Sequence, residues 1–241
     1  MRHKIFCWVG LLTFMSASVV GAAPITIPTG LNPGDTYFLV FVTNGTRDAT
    51  SSDILDYDAF VTSQAILEPT LLALGTTWKA IGSTSSVDAV THIAVTGPVY
   101  NLAGELVATG SPALFDRTLG HAADIDTDQF GGGNLGRFVW TGTTCDGVRN
   151  NLAALGATEL VVHGATFFSG CGWVELDAKL AAMSFSLYGI SGPLTIPTAV
   201  PEPGTISLML GGGGLLLLRR TRRRWRDRPA TPATRSDPEF H

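Results

Sequence analysis

Six consecutive apolar residues, Tyr37-Phe38-Leu39-Val40-Phe41-Val42, constrain this chain more than any other stretch. Alternate side chains of a strand point to opposite faces, so a strand with no polar position has no face to give to water. The run predicts a central strand buried on both sides. The next stretch has a helical pattern. Ser51 and Ser52 can cap a helix whose first turn holds Asp53 and Asp56, where carboxylates suit the positive end of the helix dipole. Ile54, Tyr57, Val61 and Ala65 then fall at helical spacing, and the helix ends before Pro69. A second short helix, residues 69–74, starts with that proline and stops at Gly75.

From Thr76 onward the character changes. Short β-like runs at 78–81, 92–95, 137–141, 159–163, 173–176 and 184–188 are separated by Gly-rich loops, with one helical turn at 111–115. Two helices early and many short strands later describe an α+β domain with a mixed, loop-rich sheet. Trp78, Trp140 and Trp173 lie in this half, where aromatic rings most often fill a core; an exposed one could instead stack on sugar rings.

The order "DAFVTSQA", "TWKAIGSTSS", "PVYNLAGELVATGSPALFD", "FVWTGTTCDG" and "CGWVEL…SFSLYGIS" resembles endostatin, the collagen-derived domain built on the C-type-lectin-like fold. The closest local matches are Pro98-Val99-Tyr100-Asn101-Leu102 with Glu105-Leu106, and Val139-Trp140-Thr141-Gly142. The similarity spans roughly Tyr37 to Ser191 and implies a C-type-lectin/endostatin-like fold for the exterior domain. Two departures stand beside it. The cysteines do not reproduce endostatin's two nested disulfides, and the Glu-Pro-Asn or Gln-Pro-Asp sugar-binding motifs of calcium-dependent lectins are absent, so carbohydrate binding is here an analogy of fold.

The two ends of the chain carry targeting information. Arg2 and Lys4 precede an apolar segment, Ile5 to Met15, and Val20-Gly21-Ala22 forms a cleavage site before Ala23, so residues 1–22 read as a secretory signal peptide. Cys7 leaves with it, and Cys145 and Cys171 remain as the cysteines of the exported chain. An oxidising compartment favours their pairing. Closing a loop of about 27 residues stabilises a fold by roughly 3 kcal/mol in the loop-entropy account. No Cys-x-x-Cys spacing indicates structural zinc.

At the other end, Pro201-Glu202-Pro203 is followed by an uncharged run from Thr205 to Leu218 and then by an arginine cluster within 219–228 that opens with Arg219 and Arg220. The 14-residue run spans roughly 21 Å as a helix, short against a hydrocarbon core of about 30 Å, and its four central glycines permit close approach of another helix. The arginines hold their side in the cytoplasm and place everything before Pro201 outside. The three parts in register, residues 200–228, resemble the PEP-CTERM sorting signal of Gram-negative bacteria. That resemblance implies processing near Pro201, Glu202 and Pro203 by exosortase, a membrane-embedded cysteine protease. Such signals usually stop soon after the arginines, whereas this chain continues with a polar tail, 229–241; a plain membrane anchor is the alternative reading. The Pro-rich piece 192–203 reads as a stalk between the exterior domain, 23–191, and the membrane.

The formal charge of −4 conceals a division. Between Ala23 and Val200, Asp and Glu outnumber Lys and Arg by well over two to one, which argues against a nucleic-acid partner. Asp124, Asp126 and Asp128 alternate ahead of Gly131 to Gly133, and as a flexible oxygen-rich loop they are candidate calcium ligands. The twelfth position of an EF-hand counted from Asp124 is Leu135, so that motif fails; a solvated acidic loop is the alternative. No other cofactor is implied. The Gly131–Gly136 segment lacks the Lys-Ser/Thr ending of a phosphate loop, and His92, His121 and His163 are isolated, with no local nucleophile motif.

The expectation is therefore an exported, exosortase-sorted protein of the cell surface or extracellular matrix, transiently anchored in the inner membrane. Its partners would be exosortase and an extracellular polysaccharide or protein ligand, bound without catalysis. The alternative is a secreted hydrolase-type enzyme anchored by its C-terminal helix, built from residues distant in sequence.

Overall fold

A computed structural model describes residues 23–116, 122–133 and 135–198. In chain order its elements are β1 (Thr36–Val42), α1 (Ile54–Ala65), α2 (Pro69–Leu72), β2 (Trp78–Ala80), α3 (Ala89–Ile93), β3 (Val99–Asn101) and β4 (Leu106–Ala108). After these come α4 (Ser111–Leu114), β5 (Phe138–Trp140), β6 (Leu160–Ala165), a 3-10 turn (Gly170–Trp173), β7 (Asp177–Leu180), β8 (Tyr188–Ser191) and β9 (Leu194–Thr195). The fold is α+β.

The uninterrupted apolar run becomes the middle of the larger sheet, ordered β2-β8-β1-β3-β4 with β9 pairing to the start of β1. The sheet is mixed: β1 runs parallel to β3 and antiparallel to β8 and β9. Tyr37, Leu39 and Phe41 enter one buried cluster, and Phe38, Val40 and Val42 enter the other. Both cores of the domain therefore hang on one strand, with the side chains dealt alternately between them. A smaller antiparallel sheet, β5-β6-β7, joins through a bridge between Val139 and Ser186.

Helix α1 covers one face of this arrangement. Ile54, Tyr57, Val61 and Ala65 are its buried stripe, at the spacing the sequence predicts. The cap is Asp53 and not Ser51 or Ser52: its carboxylate accepts the Leu55 N–H at 3.0 Å. Ser51 supports it by accepting the Asp53 N–H and donating to Asp56 at 2.6 Å. Arg47 lies 4.3 Å above the Tyr57 ring, and burial pushes the Tyr57 hydroxyl up to about 12 despite that cation. From the partly solvated side, Asp58 accepts the Ala80 N–H at 2.7 Å and contacts His92 Nε2 at 3.0 Å, which ties α1 to β2 and α3. The second helix starts at Pro69 and closes at Leu72, two residues sooner than expected, with Gly75 in left-handed backbone just beyond.

Several expected strands take other forms. Residues 92–95 lie on and after α3, whose Ala89 and Ile93 are buried one helical turn apart; Ala94, with φ of 46°, ends it. The stretch 173–176 is no strand either. Gly170 turns the chain at φ of 63°, the Val174 and Glu175 N–H groups both bond to the Cys171 carbonyl, and Trp173 and Val174 enter the core from the turn. The strand follows at β7, where Asp177 and Lys179 hide it from a hydrophobic reading. The last long strand begins at Tyr188, not Ser184. Expected to close at Ser191, the domain continues through β9 to Ile196, whose N–H bonds to the Asp35 carbonyl at 2.9 Å. Leu194 and Thr195, within the piece that reads as a stalk, are therefore a strand of the sheet.

Cys145 and Cys171 form a disulfide. It joins the loop after β5 to the 3-10 turn, and Glu175 adds a bond from the Cys145 N–H at 2.8 Å. Trp78, Trp140 and Trp173 are all buried. Among the described residues no helix is long and apolar enough to cross a membrane; the run 205–218 lies outside them, as do residues 1–22.

The 3-10 turn presses so closely on β6 that only glycine fits at Gly164, because a Cβ there would collide with the backbone of Trp173 and Val174. Gly164→Ala is expected to lower stability by about 3 kcal/mol, the upper end of overpacking costs, since backbone must give way. A urea unfolding midpoint unchanged from the parent would contradict this packing.

Candidate functional site

The sorting residues Pro201, Glu202, Pro203, Arg219 and Arg220 lie outside the described residues, and so does His121. The acidic loop is within them, and its carboxylates do not converge. Among the described residues no three His, Cys, Asp or Glu side chains come together as a metal ion requires. Asp128 is turned inward on its own loop: Oδ1 accepts the N–H groups of Phe130 and Gly132, each at 3.0 Å. Asp124 offers its backbone carbonyl to the Asn101 amide, and Asp126 Oδ1 faces the Thr127 hydroxyl at 3.4 Å. The three carboxylates expected as calcium ligands from their alternation thus stand apart, and that of Asp128 serves local loop closure.

That closure braces something else. The Val42 N–H bonds to the Thr127 carbonyl, the Asn44 N–H to Gln129 Oε1 at 2.8 Å, and Asp128 Oδ2 stands 3.9 Å from Arg137 Nη2. Gln64, on α1, accepts the Gly45 N–H at 2.8 Å and, at 3.4 Å, the Gln129 amide. Loop and helix together hold the turn that leaves β1. It forms one wall of an open cleft of about 330 Å³, whose other walls are Arg137 and Phe138 at the entry to β5 and Ser184-Phe185-Ser186 on the way into β8.

The cleft has an aromatic floor and a polar rim. Phe138 packs against Phe185 at 5.6 Å between ring centroids, and Phe185 lies on Trp140 at 4.4 Å. Trp140 is fully buried, and its indole N–H is shared between the carbonyls of Arg47 and Met183 at 3.1 and 3.2 Å. The floor is therefore anchored in the core. Outward, Phe138 continues to Phe167 at 5.9 Å and Phe167 to Phe168 at 5.0 Å, so an aromatic strip runs from core to surface. On the rim, Arg137 donates through Nη1 to the carbonyls of Thr43 and Asn44 and through Nη2 to Asn44 Oδ1 at 2.8 Å. Its guanidinium is fixed by these three acceptors.

Beneath the floor sits His163, which is buried and packed edge-on to Phe138, Trp140 and Phe185. Nδ1 lies 3.2 Å from the Gly164 carbonyl, while Nε2 has no hydrogen-bond partner among the described residues. Burial holds its pKa below the usual imidazole range, against a smaller opposing pull from the Gly164 carbonyl and Asp177, with Lys179 acting the same way as burial. The ring is a neutral part of the aromatic stack.

A second hollow, of about 180 Å³, lies beside Arg149 and Leu152. It holds no aromatic ring, and Arg149 there is engaged by the Ser85 carbonyl and by Asp88. None of the residues of the larger cleft stands out by motif. Asn44 and Arg137 are 93 positions apart, and the local hints are limited to the Phe167-Phe168 pair and to a phenylalanine set between Ser184 and Ser186.

No protein-family profile matches the chain, and no curated protein matches it either. The geometry of the cleft stands on its own.

Because His163 binds a proton more weakly folded than unfolded, the unfolded chain gains protons first as pH falls. Stability is then complete above about pH 6.5 and declines below it. The melting temperature is expected to fall between about pH 6.5 and 5, and His163→Gln to flatten that decline relative to the parent. Parallel curves for the two proteins would show that His163 is not the group responsible.

Proposed function

We propose that this chain is an exported, exosortase-sorted protein of the cell surface or extracellular matrix, whose folded domain binds an extracellular ligand without catalysis. The observation that carries the proposal is the register of Pro201-Glu202-Pro203, the uncharged run 205–218 and the arginine cluster, paired with a signal peptide at the opposite end. The Cys145–Cys171 disulfide agrees with an oxidising destination. An acidic exterior adds solubility and disfavours nucleic acid. The cleft at Arg137 and Phe138 is the ligand site of this reading: aromatic surface with hydrogen-bonding groups around it is what a recognition pocket presents.

The domain itself reads as a variant of the endostatin and C-type-lectin-like kind. Two early helices beside a mixed sheet support that reading, which rests on scattered motifs in the sequence.

The test is the intact mass of the C-terminal peptide from protein expressed in hosts with and without an exosortase. The chain is expected to end near Pro201 to Gly204 only where the enzyme is present. Retention of residues 219–241 in both hosts would make it a plain membrane-anchored domain and overturn the sorting proposal.

A further inference from the structure

We infer that the cleft between Asn44, Arg137 and Phe185 is a neutral-saccharide site, seating a pyranose unit of an extracellular glycan on the Phe138 ring; this rests on the proposed reading of the domain as a noncatalytic binder. A pyranose is amphipathic within a single ring, with C–H groups on its faces and hydroxyls around its edge. A site for it needs exposed aromatic surface and, within hydrogen-bond reach, groups that both donate and accept. The cleft offers both. Phe138 is 43% exposed although it packs on Phe185, which itself lies on buried Trp140, so its ring is held in place and partly open to solvent. The exposed side chains of Asn44, Thr46 and Ser184 rim it, and amide and hydroxyl groups each donate and accept.

Competing occupants fit less well. A wholly apolar ligand would bury the rim hydroxyls and amide against hydrocarbon with no partners. A stable protein partner needs about 800 Å² on its side, far beyond a pocket of this size. An anionic ligand would look to Arg137, but that guanidinium already donates to three oxygens and lies 3.9 Å from Asp128, inside an acidic domain. What Arg137 does instead is fix Asn44, the amide on the rim. The walls are preorganised, which reduces the ordering cost of binding. The strip through Phe167 and Phe168, 53% and 42% exposed, extends the apolar surface beyond the cleft and gives neighbouring sugar units of a polymer a place to lie.

The experiment uses the full chain in detergent on an array of neutral gluco-, manno-, galacto- and N-acetylglucosamine oligosaccharides, with oligogalacturonate as the acidic series. Retention on at least one neutral series is expected. Phe138→Ala should weaken it by about tenfold or more, as loss of a stacking ring does, and Phe138→Trp should preserve it. Ser184→Arg, on the exposed rim, should block binding while leaving the melting temperature unchanged, and so tests the site even where Phe138→Ala impairs folding. Silence on every neutral series, retention on the acidic series alone, or full binding by Ser184→Arg would overturn the assignment. A chain that is trimmed by exosortase yet binds no glycan loses only the saccharide assignment; one that binds glycan but keeps its tail loses only the sorting proposal.

Discussion

Everything in this domain depends on β1 having no side to show to water. A strand that is apolar at each position can be satisfied only between two cores, and here odd residues feed one cluster and even residues the other. The neighbouring elements obey that requirement. β3 and β8 take its two edges, and the Ser191 hydroxyl accepts the Leu39 N–H at 2.9 Å, so even the backbone of the run is accounted for. Where the apolar run stops, at Thr43, the chain turns sharply and its hydroxyl takes over, donating to the Gly45 carbonyl and accepting the Leu187 N–H. That turn is the wall of the cleft. The site is thus an outcome of where the central strand ends.

The cleft combines a deep anchor with an open surface. Trp140, Phe185 and Phe138 stack outward from the core, each contact of a kind worth about 0.5 to 1.5 kcal/mol beyond area burial, and His163 fills the space under them as a neutral ring. Opposite, the Asp128 loop and Gln64 hold the turn that carries Asn44. Aspartates that alternate in sequence suggest a cation; in the fold the carboxylate of Asp128 closes its own loop and stands beside Arg137. The specific geometry lies in Arg137 and the phenylalanines.

How much of this the sequence discloses depends on physical range. Signals that act within one turn or one strand are legible: the two-sided burial of β1, the stripe Ile54, Tyr57, Val61 and Ala65, and the proline start of α2. Pairing of Cys145 with Cys171 is legible too, because the third cysteine, Cys7, falls in the segment that reads as a leader. The rest depends on distant partners. Helix α3 spans five residues, too few to show a period, and β7 carries charges because it is an edge strand, open on one side. β9 is prolonged into the proline-rich segment by pairing with Thr36 and Tyr37, more than 150 positions earlier. The cleft is the extreme case, since its three walls come from separate thirds of the domain and no wall carries a motif of its own.

The most direct measurement of the central claim is native-state hydrogen exchange resolved to single amides. If β1 is the strand on which both cores depend, the amides of Leu39 to Val42 exchange only through global unfolding, with the same free energy and denaturant dependence as the whole domain. Exchange of those amides through a cheaper local opening, while α1 or β6 stays protected, would show that the two cores stand independently and contradict the account.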